Sequence, residues 1–249
     1  MLYAVIGVIV VVLSGVLAMA GLGAAFLFVP LFYWLGIPLE VAASTALLLN
    51  AVSLTFASTT YLRARLVDLR LGVPIILAAV VAAPFGARLA PHVDKTVLLW
   101  LFSAFLVFAG TMMLFYRRPE KTREVGRATE IGTGTAVGGV AGFLGGLLGV
   151  GGGNVILPAL NGFGLDAKKA AGTTGIAVVF SSLTGFLGRI SVGHLDPTLI
   201  VVSVVAAIAG SVIGSRMMTT RISNKQLKRL IGVVLWVVAA KMLWDLVGA

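Results

Sequence analysis

The side chains able to do chemistry in this chain are few, and they gather around glycine. Gly21-Leu22-Gly23 and Gly149-Val150-Gly151-Gly152-Gly153 interrupt long apolar stretches, and Asn154 directly follows the second run. Asn50 and Ser53 fall near the middle of one apolar segment, Ser181 and Ser182 near the middle of another, with Thr173 and Thr174 closer to that segment's start. Freed backbone amides, hydroxyls and carboxamides are neutral hydrogen-bonding groups, suited to binding a solute and not to transforming one. The two histidines, His92 and His194, lie near segment ends, and there is no cysteine. Neither a nucleophile with its base nor a zinc-binding HExxH helix can be assembled from them, and the glycines lack the strand-to-helix setting of a nucleotide loop. No Asp or Glu falls in the middle of an apolar segment, which speaks against a carboxylate proton relay and against a dehydrated divalent-cation site. The expectation is no catalytic residue, no metal, no cofactor, and a small neutral or anionic solute as ligand.

The elements that must position these groups are set by composition. With 59% apolar and 11% charged residues, the chain has too little polar surface for a soluble globule. Its apolar runs are continuous, unlike the alternating strands of a membrane barrel, so it reads as an all-α polytopic membrane protein with the lipid bilayer as partner. A net charge of +10 is then attributed to loops beside an anionic cytoplasmic leaflet, not to nucleic acid. The first twenty residues have no basic n-region and read as a retained helix. Segments are expected at about 3–20, 24–36, 40–62, 70–91 and 95–116, and again at about 131–148, 152–164, 168–190, 196–218 and 224–247. Between the two sets, 117–130 is the one long polar stretch and is read as a linker. Asp68, Asp94, Asp166 and Asp196 with Pro197 stand where helix N-caps belong, and Ser223 and Gln226 have capping-box spacing.

The two sets are copies. At a constant offset of 128 positions, Gly21 falls on Gly149, Pro30 on Pro158, Thr45 on Thr173, Ser53 on Ser181, Asp68 on Asp196, Gly86 on Gly214 and Arg88 on Arg216. The first repeat is 1–116 and the second 131–249. Lys and Arg decide their relative orientation. If the two segments flanking each glycine run formed one crossing, the repeats would be parallel and the basic residues would divide ten to nine between the membrane faces. If they form a hairpin, the repeats are inverted. One face then collects Arg63, Arg65, Arg70, the linker cations and those near the starts and ends of the second-repeat helices, fifteen in all. The other keeps only Arg88, Lys95, Arg189 and Lys241. The second division obeys the positive-inside rule. It predicts two inverted repeats, each a broken, re-entrant hairpin plus three transmembrane helices, with the linker cytoplasmic and both termini outside.

The second arm of each hairpin is too short to span a hydrocarbon core of about 30 Å, so the glycine tips turn inside the membrane. Irregular backbone at that depth is tolerated only inside protein or beside a cavity. Because each short helix begins at the tip, its free amides and positive dipole end point to the membrane centre, an arrangement that attracts anions and recurs in secondary transporters. The substrate-binding candidates are accordingly Gly21, Gly23, Asn50, Ser53, Gly151, Gly152, Gly153, Asn154, Thr173, Thr174, Ser181 and Ser182. Simpler roles stand beside these: glycines that only permit close helix packing, and hydroxyls that bond their own backbone. Arg88 and Arg216, each in a Gly-x-Arg near a helix end, are candidate gates, or cations that snorkel and complement a helix C-terminus.

The stretch Gly21-Leu22-Gly23 through Pro30-Leu31, and above all Leu147 through Pro158, resembles the TauE/SafE sulfite exporter family, over nearly the whole chain. The resemblance implies a transporter of sulfite, thiosulfate, sulfonates or related small organic anions. The first motif departs from the fuller pattern, with Ala24, Ala25 and Phe26 where the second has Gly152, Gly153 and Asn154, so the second half is the better candidate for substrate contact. The expected function is alternating access of a small anion to a midplane site in a cell (inner) membrane. A permease for another solute or cation, or a scaffold that transports nothing, would share the same architecture.

Overall fold

The computed structural model describes residues 2–115, 126–189, 197–221 and 223–247. His194, Asp196 and the linker residues Arg117, Arg118, Lys121 and Arg123 lie outside them. The described chain is helical throughout: α1 (Leu2–Ala18), α2 (Ala25–Trp34), α3 (Leu39–Arg63), α4 (Leu69–Leu89), α5 (Lys95–Phe115), α6 (Arg127–Leu148), α7 (Gly153–Gly162), α8 (Ala167–Arg189), α9 (Pro197–Thr220) and α10 (Asn224–Val247), with one 3-10 turn over Ala90–His92. Among the described residues six helices are long and apolar enough to cross a membrane: α3, α4 with its 3-10 turn, α5, α6, α8 and α9. In contrast, α2 and α7 have 10 residues each, about 15 Å of helix or half a hydrocarbon core.

Local chemistry sets the ends. The Asp68 carboxylate accepts from the Leu71 amide, Asp94 from Thr96 and Val97, and Asp166 from Lys169. The amides of Thr96 and Val97 hold the Asp94 carboxyl below the usual carboxylate range. Ser223 and Gln226 form the reciprocal bonds of a capping box. One expected boundary is corrected. The polar stretch 117–130 is not linker to its end, because α6 begins at Arg127 behind Gly126 as N-cap. Polarity does not bar a helix in the interfacial layer, and Glu130 in the first turn of α6 suits the positive end of the dipole. There it pairs with Arg70 of α4 at 2.9 Å.

The packing is reciprocal between the halves. Helix α1 packs on α9 as α6 packs on α4; α3 packs on α9 as α8 packs on α4; and α3 meets α8 while α5 meets α10. Directions follow from the residues in contact. Leu47 lies against Gly185 and Asn50 bonds Ser182, so α3 and α8 run antiparallel. Likewise Gly110 lies against Trp236 and Gly232 against Leu114, so α5 and α10 are antiparallel. The α4–α6 pair is parallel, with Gly138, Gly142 and Gly146 against Ile75, Ala79 and Ala83. Glycines four apart form one stripe on α6, and a Cβ at Gly142 would stand 2.6 Å from the Ala79 Cα. Backbones this close gain dispersion contacts that lipid tails cannot match. Helix α2 is buried on every side from Ala25 to Pro30, with Phe26, Phe28 and Phe32 fully enclosed. A helix that is apolar all round belongs in the interior of a large assembly of helices.

Candidate functional site

Both tips are built from backbone that glycine alone adopts without strain. Gly21 and Gly23 have φ of +64° and +68°, and Gly149, Gly151 and Gly152 have +76°, +74° and +78°. Close approach adds a second constraint. A Cβ on Gly21 would overlap the Ala171 carbonyl of α8, and one on Gly149 would stand 2.8 Å from the Ala43 Cα of α3. Ala43 and Ala171 are themselves repeat equivalents. Each tip is therefore lodged against the long central helix of the opposite half.

Asn50 joins the two tips. Its Oδ1 accepts from the amide of Ala25, the first residue of α2, at 3.4 Å, and its Nδ2 donates to Ser182 Oγ of α8 at 2.9 Å. The carboxamide is fully buried and lies against both Gly23 and Gly151. Ser181 Oγ donates to the Gly151 carbonyl at 2.7 Å, which ties the second tip to α8. Gly153 in turn stands beside the Leu22 carbonyl of the first tip. Thus Gly23, Asn50, Gly151, Gly153, Ser181 and Ser182 form one contiguous cluster, drawn from both halves.

The start of α7 holds unsatisfied groups. Its first backbone bonds run from Val155 and Ile156 to the Gly152 carbonyl, and the amides of Gly153 and Asn154 have no acceptor among the described residues. Orphan amides at the positive end of a helix are the groups that attract an anion. The Asn154 side chain is 4% exposed and its Oδ1 has no partner. Turning the carboxamide over presents its NH2 in the same position. Thr174, fully enclosed, also has an unpartnered hydroxyl. Leaving a buried polar group unpaired costs about 1–3 kcal/mol, a cost that a ligand bonded there would remove.

Other expected site residues have local partners. Ser53 Oγ donates to the Asn50 carbonyl of its own helix, the back-bonding habit of hydroxyls in membrane helices. Thr173 Oγ1 accepts from the Asp68 amide at 2.9 Å and so fastens the α3–α4 connection to α8. Gly152 is packed against the Ala141 carbonyl of α6. Arg88 and Arg216 are exposed, away from the cluster, near the ends of α4 and α9. His92 is exposed on the 3-10 turn. Among the described residues no three His, Asp or Glu side chains converge.

Two buried residues escaped the sequence reading. Tyr61, fully enclosed, donates its hydroxyl proton to the Ala18 carbonyl in the last turn of α1. Arg189, 2% exposed, donates through Nε and Nη2 to the Gly146 carbonyl and through Nη2 to the Leu147 carbonyl in the last turn of α6. Both pairs obey the 128-residue offset, Tyr61 with Arg189 and Ala18 with Gly146. That register was available in the sequence. It was hidden because a tyrosine and an arginine do not look alike, and because each stands at a helix end, where a lone charge reads as snorkelling.

Comparison with known proteins gives a family-wide match. The model of the sulfite exporter TauE/SafE family matches residues 3–242. The chain is similar to the probable membrane transporter protein YunE of Bacillus subtilis (strain 168), at 22% identity over 95% of this chain and 97% of that one. It is also similar to the probable membrane transporter protein MJ0441 of Methanocaldococcus jannaschii, at 23% identity over 96% and 93% of the two chains. No solved structure matches it at a significant level.

Proposed function

The chain belongs to the sulfite exporter TauE/SafE family, and from that premise we propose that it is a secondary transporter of a small sulfur-containing or organic anion, of the sulfite, thiosulfate or sulfonate class. Membership makes it a membrane transporter; the substrate class and the mechanism are our reading. The observation that carries it is the meeting of two half-helix starts at Asn50, with the free amides of Gly153 and Asn154 and the unpartnered Oδ1 of the Asn154 carboxamide beside them. Positive dipole ends and amide donors favour a negative solute, while the absence of a lysine or arginine among these groups would leave the anion held loosely enough to depart.

We further propose that residues 1–116 and 127–249 are inverted repeats, that the polar connection between them is cytoplasmic, and that both termini lie outside an inner membrane. The antiparallel course of α3 against α8 and α5 against α10 supports inversion, and the fifteen-to-four division of basic residues supports the sidedness. Transport then consists of exposing the tip cluster to one side and the other in turn.

The test is flux into proteoliposomes of radiolabelled sulfite, thiosulfate and a short alkyl sulfonate. Wild-type protein is expected to move at least one of them above empty vesicles, with Asn154→Leu and Gly152→Leu each reducing flux at least tenfold. Wild-type flux from both variants would remove the tip from the site, and no flux of any of these anions by the wild type would remove the substrate class.

A further inference from the structure

We infer that Arg189 is a second anion-recognition residue, in series with the tip cluster, which exchanges its bonds to the end of α6 for bonds to the arriving anion and thereby releases the second glycine tip. This inference rests on the anion-transport reading above, which it deepens.

Arg189 and Tyr61 are repeat equivalents that satisfy equivalent carbonyls, those of Gly146 and Ala18, at the ends of α6 and α1. A neutral phenol performs this task in the first half. The positive charge in the second half therefore exceeds what holding a helix end requires. It is also a costly surplus, because a cation 2% exposed in a membrane-embedded helix bundle normally has a carboxylate against it. No carboxylate bonds Arg189 directly: the ion pairs among the described residues are Arg70 with Glu130 and Lys241 with Asp245, and Glu40 in the same cleft acts on it only through space.

The surroundings of Arg189 lead to solvent. It lines a narrow cleft with Pro30 and Tyr33 of α2, Glu40 of α3, Phe102 of α5 and Leu147 of α6. Tyr33 also lines a wider hollow of about 370 Å³, whose rim carries Lys95 and Asp245. Lys95 lies over the Tyr33 ring at 4.8 Å from its centroid, and Lys241 over that of Trp34 at 5.4 Å. Of the four basic residues on the sparsely charged face, Arg189 and Lys95 line this path, and Lys241 lies beside it over Trp34, paired with Asp245. The room left beside Arg189 is about 20 Å³, enough for a water but not for an oxyanion, so the path is shut in this state.

Exchange of partners follows from hydrogen-bond strength. Arg189 now donates to two neutral carbonyls, and an oxyanion would offer the same fork of donors a bidentate, oppositely charged acceptor. Taking the anion loosens Gly146 and Leu147, which lie only a few residues before the tip at Gly149–Gly153. Recognition in the cleft and movement of the tip are then one event. Glu40, which lines the same cleft, opposes the anion and limits its residence.

The test uses full-length protein, with sulfite and methanesulfonate as anionic probes and dimethyl sulfone as their neutral analogue. Arg189→Tyr copies the first repeat and keeps a donor for the Gly146 carbonyl. It is expected to unfold near the wild-type temperature, to lose at least tenfold in anion affinity by thermal-shift titration, and to lose flux in proportion. Glu40→Gln is expected to tighten anion binding several-fold without changing the response to dimethyl sulfone. Wild-type anion affinity in Arg189→Tyr, or no tightening in Glu40→Gln, overturns the inference. If Arg189→Tyr does not fold, the Glu40→Gln titration decides alone. A wild type that binds and carries none of the anions fails the transport reading instead, and one that carries them equally well with Tyr at 189 fails only this inference.

Discussion

At the scale of single residues, two glycines of like backbone separate conformational strain from steric closure. Gly36 has φ of +83° and open space where a Cβ would go, whereas Gly21 has φ of +64° and the Ala171 carbonyl there. Gly36→Ala should cost about 1–2 kcal/mol, the left-handed penalty alone. Gly21→Ala adds an overlap with backbone that cannot swing aside, raising the cost to roughly 3 kcal/mol or more. Thermal unfolding of the two variants in one detergent checks this, and equal losses would mean that the first tip does not sit tightly against α8. The same contrast explains what was legible at this scale. The tip glycines were readable because six of them fall in two short runs of an apolar chain, and Asn50 and Asn154 because carboxamides are rare there. The bridging role of Asn50 was not, since it depends on α3 and α8 crossing with Asn50 opposite Ser182, a tertiary register with no local signature.

Helices carry the next level, and here the ends are more informative than the middles. Helix α3 finishes in a Schellman arrangement: the Leu66 amide bonds the Tyr61 carbonyl, the Arg65 amide bonds that of Leu62, and Arg65 takes φ of +54°. Helix α2 ends the same way around Gly36. Arg65 thus occupies a position that glycine fills more cheaply, and Arg65→Gly should raise stability by about 1 kcal/mol, read as a higher midpoint in thermal unfolding. A lower midpoint would show that the side chain contributes more than its backbone costs, as a basic anchor at the membrane surface. The helix ranges were legible to within a few residues because apolar runs are bounded by Asp68, Asp94 and Asp166, whose capping is local chemistry. The start of α6 at Arg127 was not, because a polar segment at an interface has the same composition whether it is coiled or helical. The stripe of Gly138, Gly142 and Gly146 also went unread, since glycine spaced by four acquires meaning only when α4 lies against it.

For the whole molecule, orientation in the membrane decides which side each cleft serves, and two lines of reasoning meet on it. The hollow beside Arg189 is lined by Lys95 and Thr96 from the start of α5 and by Asp245 and Leu246 from the end of α10. Helix α10 has 24 residues, about 36 Å at 1.5 Å per residue, long enough to carry its beginning to the far side of a hydrocarbon core of about 30 Å. The charge division makes the same assignment, with Lys95 and Lys241 on the sparse face and Arg221, Lys225 and Arg229 on the rich one. Were the repeats parallel, the starts of α5 and α10 would share a face. The chain has no cysteine, so one introduced thiol reports one position. Thr96→Cys and Gln226→Cys, both at exposed sites, should react with a membrane-impermeant maleimide from opposite sides of intact cells, Thr96→Cys from outside and Gln226→Cys only after the membrane is opened. Labelling of both from the same side would overturn the inverted arrangement and, with it, the assignment of the Arg189 cleft to the outer face.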